Sequence, residues 1–302
     1  MTIIPPYLKP GDTIGLVCPA GFMPAEKYQT CIETLISWGF KVKLGKTPGH
    51  QFHYFSGTDE ERTDDLQRML DDKKIKAILC ARGGYGTGRI IDELNFKKFK
   101  KRPKWIIGFS DITVLGSHLF SNFKIASLHA PMAAAFNDGE FNNPYIQSLR
   151  EALSGEKAVY KTKPDSMDQP GKGSGILLGG NLSLLVHLIG TDSDIDTKNK
   201  ILFIEDVGEY IYNVDRMMYQ LKRSGKLEHL KGLVVGRFSD MKDTTTPFGQ
   251  STEEAIKAIV KDYKYPVCFN FPVSHDKENY ALKVGVKYHL NVLDTFVELK
   301  EL

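Results

Sequence analysis

The chain has 302 residues, enough for one large domain or two ordinary ones, and 41% hydrophobic residues supply ample material for a buried core. Its 40 basic and 37 acidic residues leave a formal charge of +3, which argues against a nucleic-acid or membrane-surface binder and fits a small polar ligand. The start, MTIIPPYLKPGD, lacks a basic region followed by a long apolar one, and runs such as GILLGG and GLVVG fall far short of the roughly 20 residues of a membrane helix. The expectation is a soluble cytoplasmic protein. Cys18, Cys31, Cys80 and Cys268 are scattered in apolar segments without a CxxC pair and read as buried thiols.

In chain order, TIGLVCPA reads as a strand. A helix follows, with Tyr28, Cys31, Ile32, Leu35 and Ile36 on one face, ending at Gly39. FKVKLG is a second strand. Thr58 and Glu61 have capping-box spacing, and Leu66, Met69 and Leu70 continue the apolar face of the helix beyond them. KAILCA leads into the glycine-rich RGGYGTG and a helix carrying Ile90, Ile91 and Leu94. KWIIGFS is the next strand, a helix begins near Asp111, and IASLHAP closes the series. This alternation predicts an α/β domain on a parallel sheet, with ligands gathering at the carboxyl ends of its strands.

Residues 156–175, rich in Lys, Gly, Pro and Ser, read as a linker between a domain at 1–155 and one at 176–302. The second domain is expected to be smaller, mixed and β-rich. ILFIEDV, GLVVGRF, VCFNFPV, LKVGVKYHL and NVLDTFVEL read as its strands. Only two helices are clear, one with Met217, Met218 and Leu221 ending near Gly225, the other opened by Ser251 and Glu254.

Three chemistry-bearing groups each end an apolar strand. Ser110 follows Trp105-Ile106-Ile107, Glu205 and Asp206 follow ILFI, and His275 follows VCFNFPVS. Ser110 or Asp111 could simply cap the next helix. A serine nucleophile needs a base within hydrogen-bond reach and an acid to orient that base, so the joint pattern favours a triad in the order Ser110, Glu205, His275. His129 in SLHAPM is a second candidate base, whereas His118, eight residues into a helix, points elsewhere. RGGYGTG lies between strand and helix, where it could be a plain turn, a phosphate cradle or an oxyanion loop. It fits neither GxGxxG nor GxxxxGK[ST], and no HExxH metal spacing occurs.

RGGYGTGRIIDEL, IIGFSDIT, LHAPM, LLGGNLSLLVHLIGT, LFIEDVGEYIYNVDRMMYQL and NFPVSHDKEN together resemble the LD-carboxypeptidases, serine peptidases that include muramoyltetrapeptide carboxypeptidase and the microcin C7 self-immunity protein. The resemblance runs from about residue 10 to about residue 290. It implies a parallel α/β N-terminal domain, a β-rich C-terminal domain, an active site drawn from both, and a homodimer. Position by position it implies Ser110 as nucleophile, Glu205 as acid with Glu209 as its competitor, and His275 as general base. The amides of Gly84 and Asp111 would be the oxyanion donors, and Arg82 is the candidate partner of the substrate's terminal carboxylate. Ser274 and Ala130 stand where the family usually has glycine. The implied activity is hydrolysis of the bond before a terminal D-amino acid in a murein-tetrapeptide-like substrate, with no metal or cofactor. Alternatives are a microcin-type acyl-nucleotide hydrolase, which needs an aromatic platform for which the linker offers only Tyr160, and a non-catalytic binder of a phosphorylated ligand.

Overall fold

The computed structural model describes residues 1–137 and 143–302. The chain divides into two compact units, Met1–Glu156 with Tyr280–Lys283, and Lys157–Asn279 with Val284–Leu302.

The first unit runs β1 (Thr13–Val17), α1 (Gln29–Ser37), β2 (Lys41–Leu44), α2 (Asp59–Asp71), β3 (Ile75–Cys80), α3 (Thr87–Ile90), α4 (Lys97–Lys101), β4 (Trp105–Ile107), α5 (Thr113–Phe123), β5 (Ser127–His129) and α6 (Pro144–Ser154). Its strands pair in parallel in the order β2-β1-β3-β4-β5. Strands covered on both faces should read as continuous apolar runs, and β4 (WII) is buried at every position. α1 ends at Ser37, two residues before Gly39, which takes the left-handed position after the cap residue Trp38 at φ +90°. Thr58 Oγ1 accepts the Glu61 amide at 3.2 Å while Glu61 Oε2 accepts the Thr58 amide at 2.8 Å, closing the expected capping box. The helix expected after RGGYGTG is only one turn of α-helix and a 3-10 turn at Ile91–Glu93, because Leu94 reverts to extended backbone.

The second unit runs β6 (Val159–Thr162), β7 (Gly171–Asn181), α7 (Leu182–His187), β8 (Lys200–Val207), α8 (Ile211–Arg223), β9 (Gly232–Ser239), α9 (Thr252–Val260) and β10 (Val267–Phe271). The chain then adds β11 (Leu282–Val284) at the β5 edge of the first unit's sheet, after which β12 (Lys287–Val292) and β13 (Val297–Glu301) complete the second. That sheet, ordered β10-β9-β8-β7-β12-β13-β6, is mixed. β7 to β10 pair in parallel, and β7, β12, β13 and β6 in antiparallel fashion. The expected linker, 156–175, therefore holds β6 and the start of β7, and α7 is a helix the apolar pattern did not separate from its surroundings.

All four cysteines are buried and free, and burial pushes the Cys18 thiol up to about 12. Among the described residues no helix is long and apolar enough to cross a membrane.

Candidate active site

In the first unit, the strand order reverses between β1 and β3, and in open parallel sheets such a reversal opens a crevice for ligands beyond the strands' carboxyl ends. The loops leaving these two strands are joined there by Gly21 N–H donating to the Gly83 carbonyl at 3.0 Å. Ser110 opens the turn after the adjacent β4. Its φ is +61°, in the left-handed region that a serine enters at a cost of about 1–2 kcal/mol. Such strain persists only where the surroundings impose it. Gly83 leaves the room this turn needs: a Cβ on it would lie 2.9 Å from Ser110 Cβ and 3.2 Å from both Ser110 Oγ and the Asp111 nitrogen. The second glycine of RGG, Gly84 (φ +94°), instead faces the Tyr54 hydroxyl, 2.8 Å from where its Cβ would be. Sequence reasoning named Gly84 and passed over Gly83; the doubled glycine was the available signal.

Asp111 is buried, and its carboxylate accepts the Thr87 amide at 2.8 Å. Burial pushes that carboxyl up, while amide donors at Thr87 and Gly86 pull it back. The residue after Ser110 thus ties the turn to the glycine loop. Arg62, fully buried on α2, holds the other side, donating to the Pro19 carbonyl at 2.5 Å and the Gly86 carbonyl at 3.1 Å and pairing with Asp59. Arg82 is exposed and donates to the Phe22 carbonyl at 2.7 Å. His129 is buried in β5 with its ring 5.7 Å from that of Phe109, and His118 packs on Phe96 and Phe123 along α5.

In the second unit, β8 delivers Glu205 with no exposed surface, and His275 Nδ1 lies 2.6 Å from Glu205 Oε2. Burial pulls the His275 pKa down, but the hydrogen bond and charge of Glu205, aided by Asp206 and Asp276, outweigh it and leave it raised. Burial pushes the Glu205 carboxyl up, and the imidazole opposes it. With Nδ1 engaged by the carboxylate, Nε2 is the atom a general base would use.

The neighbouring acids do other work. Asp206 accepts Asn181 Nδ2 at 2.8 Å, the Ser183 amide at 2.9 Å and the Ser183 hydroxyl at 2.6 Å, fixing the start of α7. Glu209 bonds Asn213 and, at 3.3 Å, Ser183. Of the two glutamates weighed from sequence, Glu205 is the one on the imidazole. Ser274 shapes the turn that bears His275: its hydroxyl donates to the Glu278 carbonyl and accepts the Asp276 amide, both at 3.0 Å. Tyr160 is buried in β6 and offers no platform to a nucleobase.

Residues 14–130 match the LD-carboxypeptidase N-terminal domain and residues 174–290 the LD-carboxypeptidase C-terminal domain. A probable murein peptide carboxypeptidase of Bacillus subtilis is 36% identical over 293 residues, spanning 96% of this chain and 92% of that protein. The solved structure of muramoyltetrapeptide carboxypeptidase from Oxalobacter formigenes superposes with a TM-score of 0.86 at 29% identity, covering 96% of this chain and 98% of that one. The microcin C7 self immunity protein has a TM-score of 0.87 at 22% identity, covering 99% of each chain, a likeness of fold.

Proposed function

This chain belongs to the LD-carboxypeptidase family, and we propose from that membership that it releases a terminal D-amino acid from a murein-tetrapeptide-like substrate by acyl transfer to Ser110. The observation that carries the reading is the 2.6 Å hydrogen bond between His275 and the fully buried Glu205. A buried carboxylate in this position fixes the imidazole tautomer and stabilises its cation.

In the proposed cycle Ser110 Oγ attacks the carbonyl of the last peptide bond while His275 Nε2 takes the hydroxyl proton. Negative charge develops on the carbonyl oxygen, where the amides of Gly84 and Asp111 are the proposed donors, each worth about 3–4 kcal/mol of transition-state stabilisation. His275 then protonates the departing amine, freeing the D-amino acid. Water activated by the same ring attacks the ester carbon and restores Ser110. Arg82, at the edge of the glycine loop, is the proposed partner of the substrate's terminal carboxylate. A role in peptidoglycan recycling, a cytoplasmic location and a homodimer belong to the same proposal.

Two observations weigh against the other readings. A phosphate at the start of α3 would compete for the Thr87 amide with the Asp111 carboxylate and meet its charge. The one aromatic residue offered for a nucleotide platform, Tyr160, is buried. The test is release of D-alanine from purified murein tetrapeptide by wild type, Ser110→Ala and chelator-treated wild type. The reading expects turnover in the first and third, with a loss of at least about 10³-fold in the second. Full turnover by Ser110→Ala would overturn the nucleophile, and inhibition by chelator would overturn metal-free chemistry.

A further inference from the structure

β8 and β9 run in register from Ile201↔Gly232 to Ile204↔Val235 and resume one residue out of step at Asp206↔Phe238. Two residues of β9, Gly236 and Arg237, therefore stand opposite Glu205 alone. β-bulges re-aim side chains and recur beside active sites. A second shift interrupts β10 between Cys268 and Phe271, where Asn270 takes φ +52°. The extra residues lie on β9, opposite Glu205 of β8, and on β10, the strand that leads toward His275.

Gly236 is where the two deviations meet. A Cβ on it would lie 2.2 Å from the Val273 carbonyl oxygen, and 3.1 Å from both Glu205 Cβ and the Ile204 carbonyl oxygen. The Val273 carbonyl, two residues before His275, accepts the Arg237 amide of the bulge at 3.1 Å. Backbone oxygen cannot share that space with a methyl group, so any side chain at 236 must push the 273–275 segment away from β8 or break the bulge bond. From Val273 onward the chain turns through the Ser274 hydroxyl bonds to Glu278 and Asp276.

We propose that Gly236 is a positioning residue for the His275–Glu205 pair: it admits the Val273 carbonyl beside Glu205, and the Ser274 hydroxyl closes the turn that then presents the imidazole. The kinetic consequence rests on His275 being the general base; the geometric one does not.

The test follows the His275 ring by NMR through a pH titration in wild type, Gly236→Ala and Ser274→Ala, with kcat and KM measured alongside. The charged groups around the ring are Glu205 and Asp206 on β8 and Asp276 in its own turn, and all are retained in both variants. A change in the titration therefore reports the separation of His275 from Glu205. The expected result is a His275 midpoint that falls toward the ordinary ~6.5 in both variants. kcat should fall by about 10- to 100-fold in Gly236→Ala, as a misplacement near 1 Å does, with KM held within about threefold. An unmoved titration with unmoved kcat, or a loss confined to KM, overturns the proposal. If Gly236→Ala does not fold, Ser274→Ala, which adds no atom, decides alone: a lowered midpoint supports positioning and an unchanged one overturns it. If wild type releases no D-alanine while both midpoints fall, the functional reading fails and the positioning role stands.

Discussion

His275 joins burial, which disfavours its charge, to a carboxylate at 2.6 Å, which favours it, and the second effect wins. A general base must be neutral to accept the serine proton, and a raised pKa keeps the ring as imidazolium up to a higher pH. The acidic limb of kcat/KM should therefore have its midpoint above the ordinary ~6.5, and activity should climb as pH rises through it. A pH–rate profile checks this; a limb at or below ~6.5 would mean that Glu205 does not control the ring. Ser110 has a left-handed backbone and packs closely on Gly83, where a Cβ would leave it no room. Its role as a candidate was legible because an apolar strand ended in a hydroxyl. Its close packing was not legible, because the glycine that makes room for it lies 27 positions earlier in the chain, in a different loop.

The elements differ in how much local sequence specifies them. Both capping boxes, Thr58 with Glu61 and Ser251 with Glu254, were readable because a cap is a contact between residues three apart. β7 was hidden inside GKGSGILLGGN because its glycines answer to distant neighbours: a Cβ at Gly173 would sit 1.7 Å from the Lys231 carbonyl oxygen. α7 was hidden because Leu182–His187 continues an apolar run, and its start is set by Asp206, 23 residues away from Ser183. α2 shows an element serving a loop at a distance, since its Arg62 donates to the carbonyls of Pro19 and Gly86. Arg62→Met should leave these acceptors without that donor, at about 1–3 kcal/mol each if they stay buried. Lower thermal stability together with lower kcat is expected; unchanged kcat in a destabilised protein would limit Arg62 to the fold.

Over the whole molecule, six sequence blocks in order sufficed to indicate the family, and the two family domains match residues 14–130 and 174–290. The α/β unit and the mixed β-rich unit were legible from periodicity. The return of residues 280–283 to the first unit was not, because a three-residue edge strand carries almost no pattern. The near balance of charge, +3 in 302 residues, suits an enzyme that recognises its substrate by a few placed groups rather than by a broad field. In the proposed mechanism catalysis passes through an ester on Ser110. The direct measurement is peptide mapping by mass spectrometry after acid quench of enzyme turning over a tetrapeptide analogue with an ester in place of its last amide. The account predicts the substrate's acyl group on the peptide containing Ser110 and none in Ser110→Ala; an acyl group on another residue, or turnover by Ser110→Ala at the wild-type rate, would contradict it.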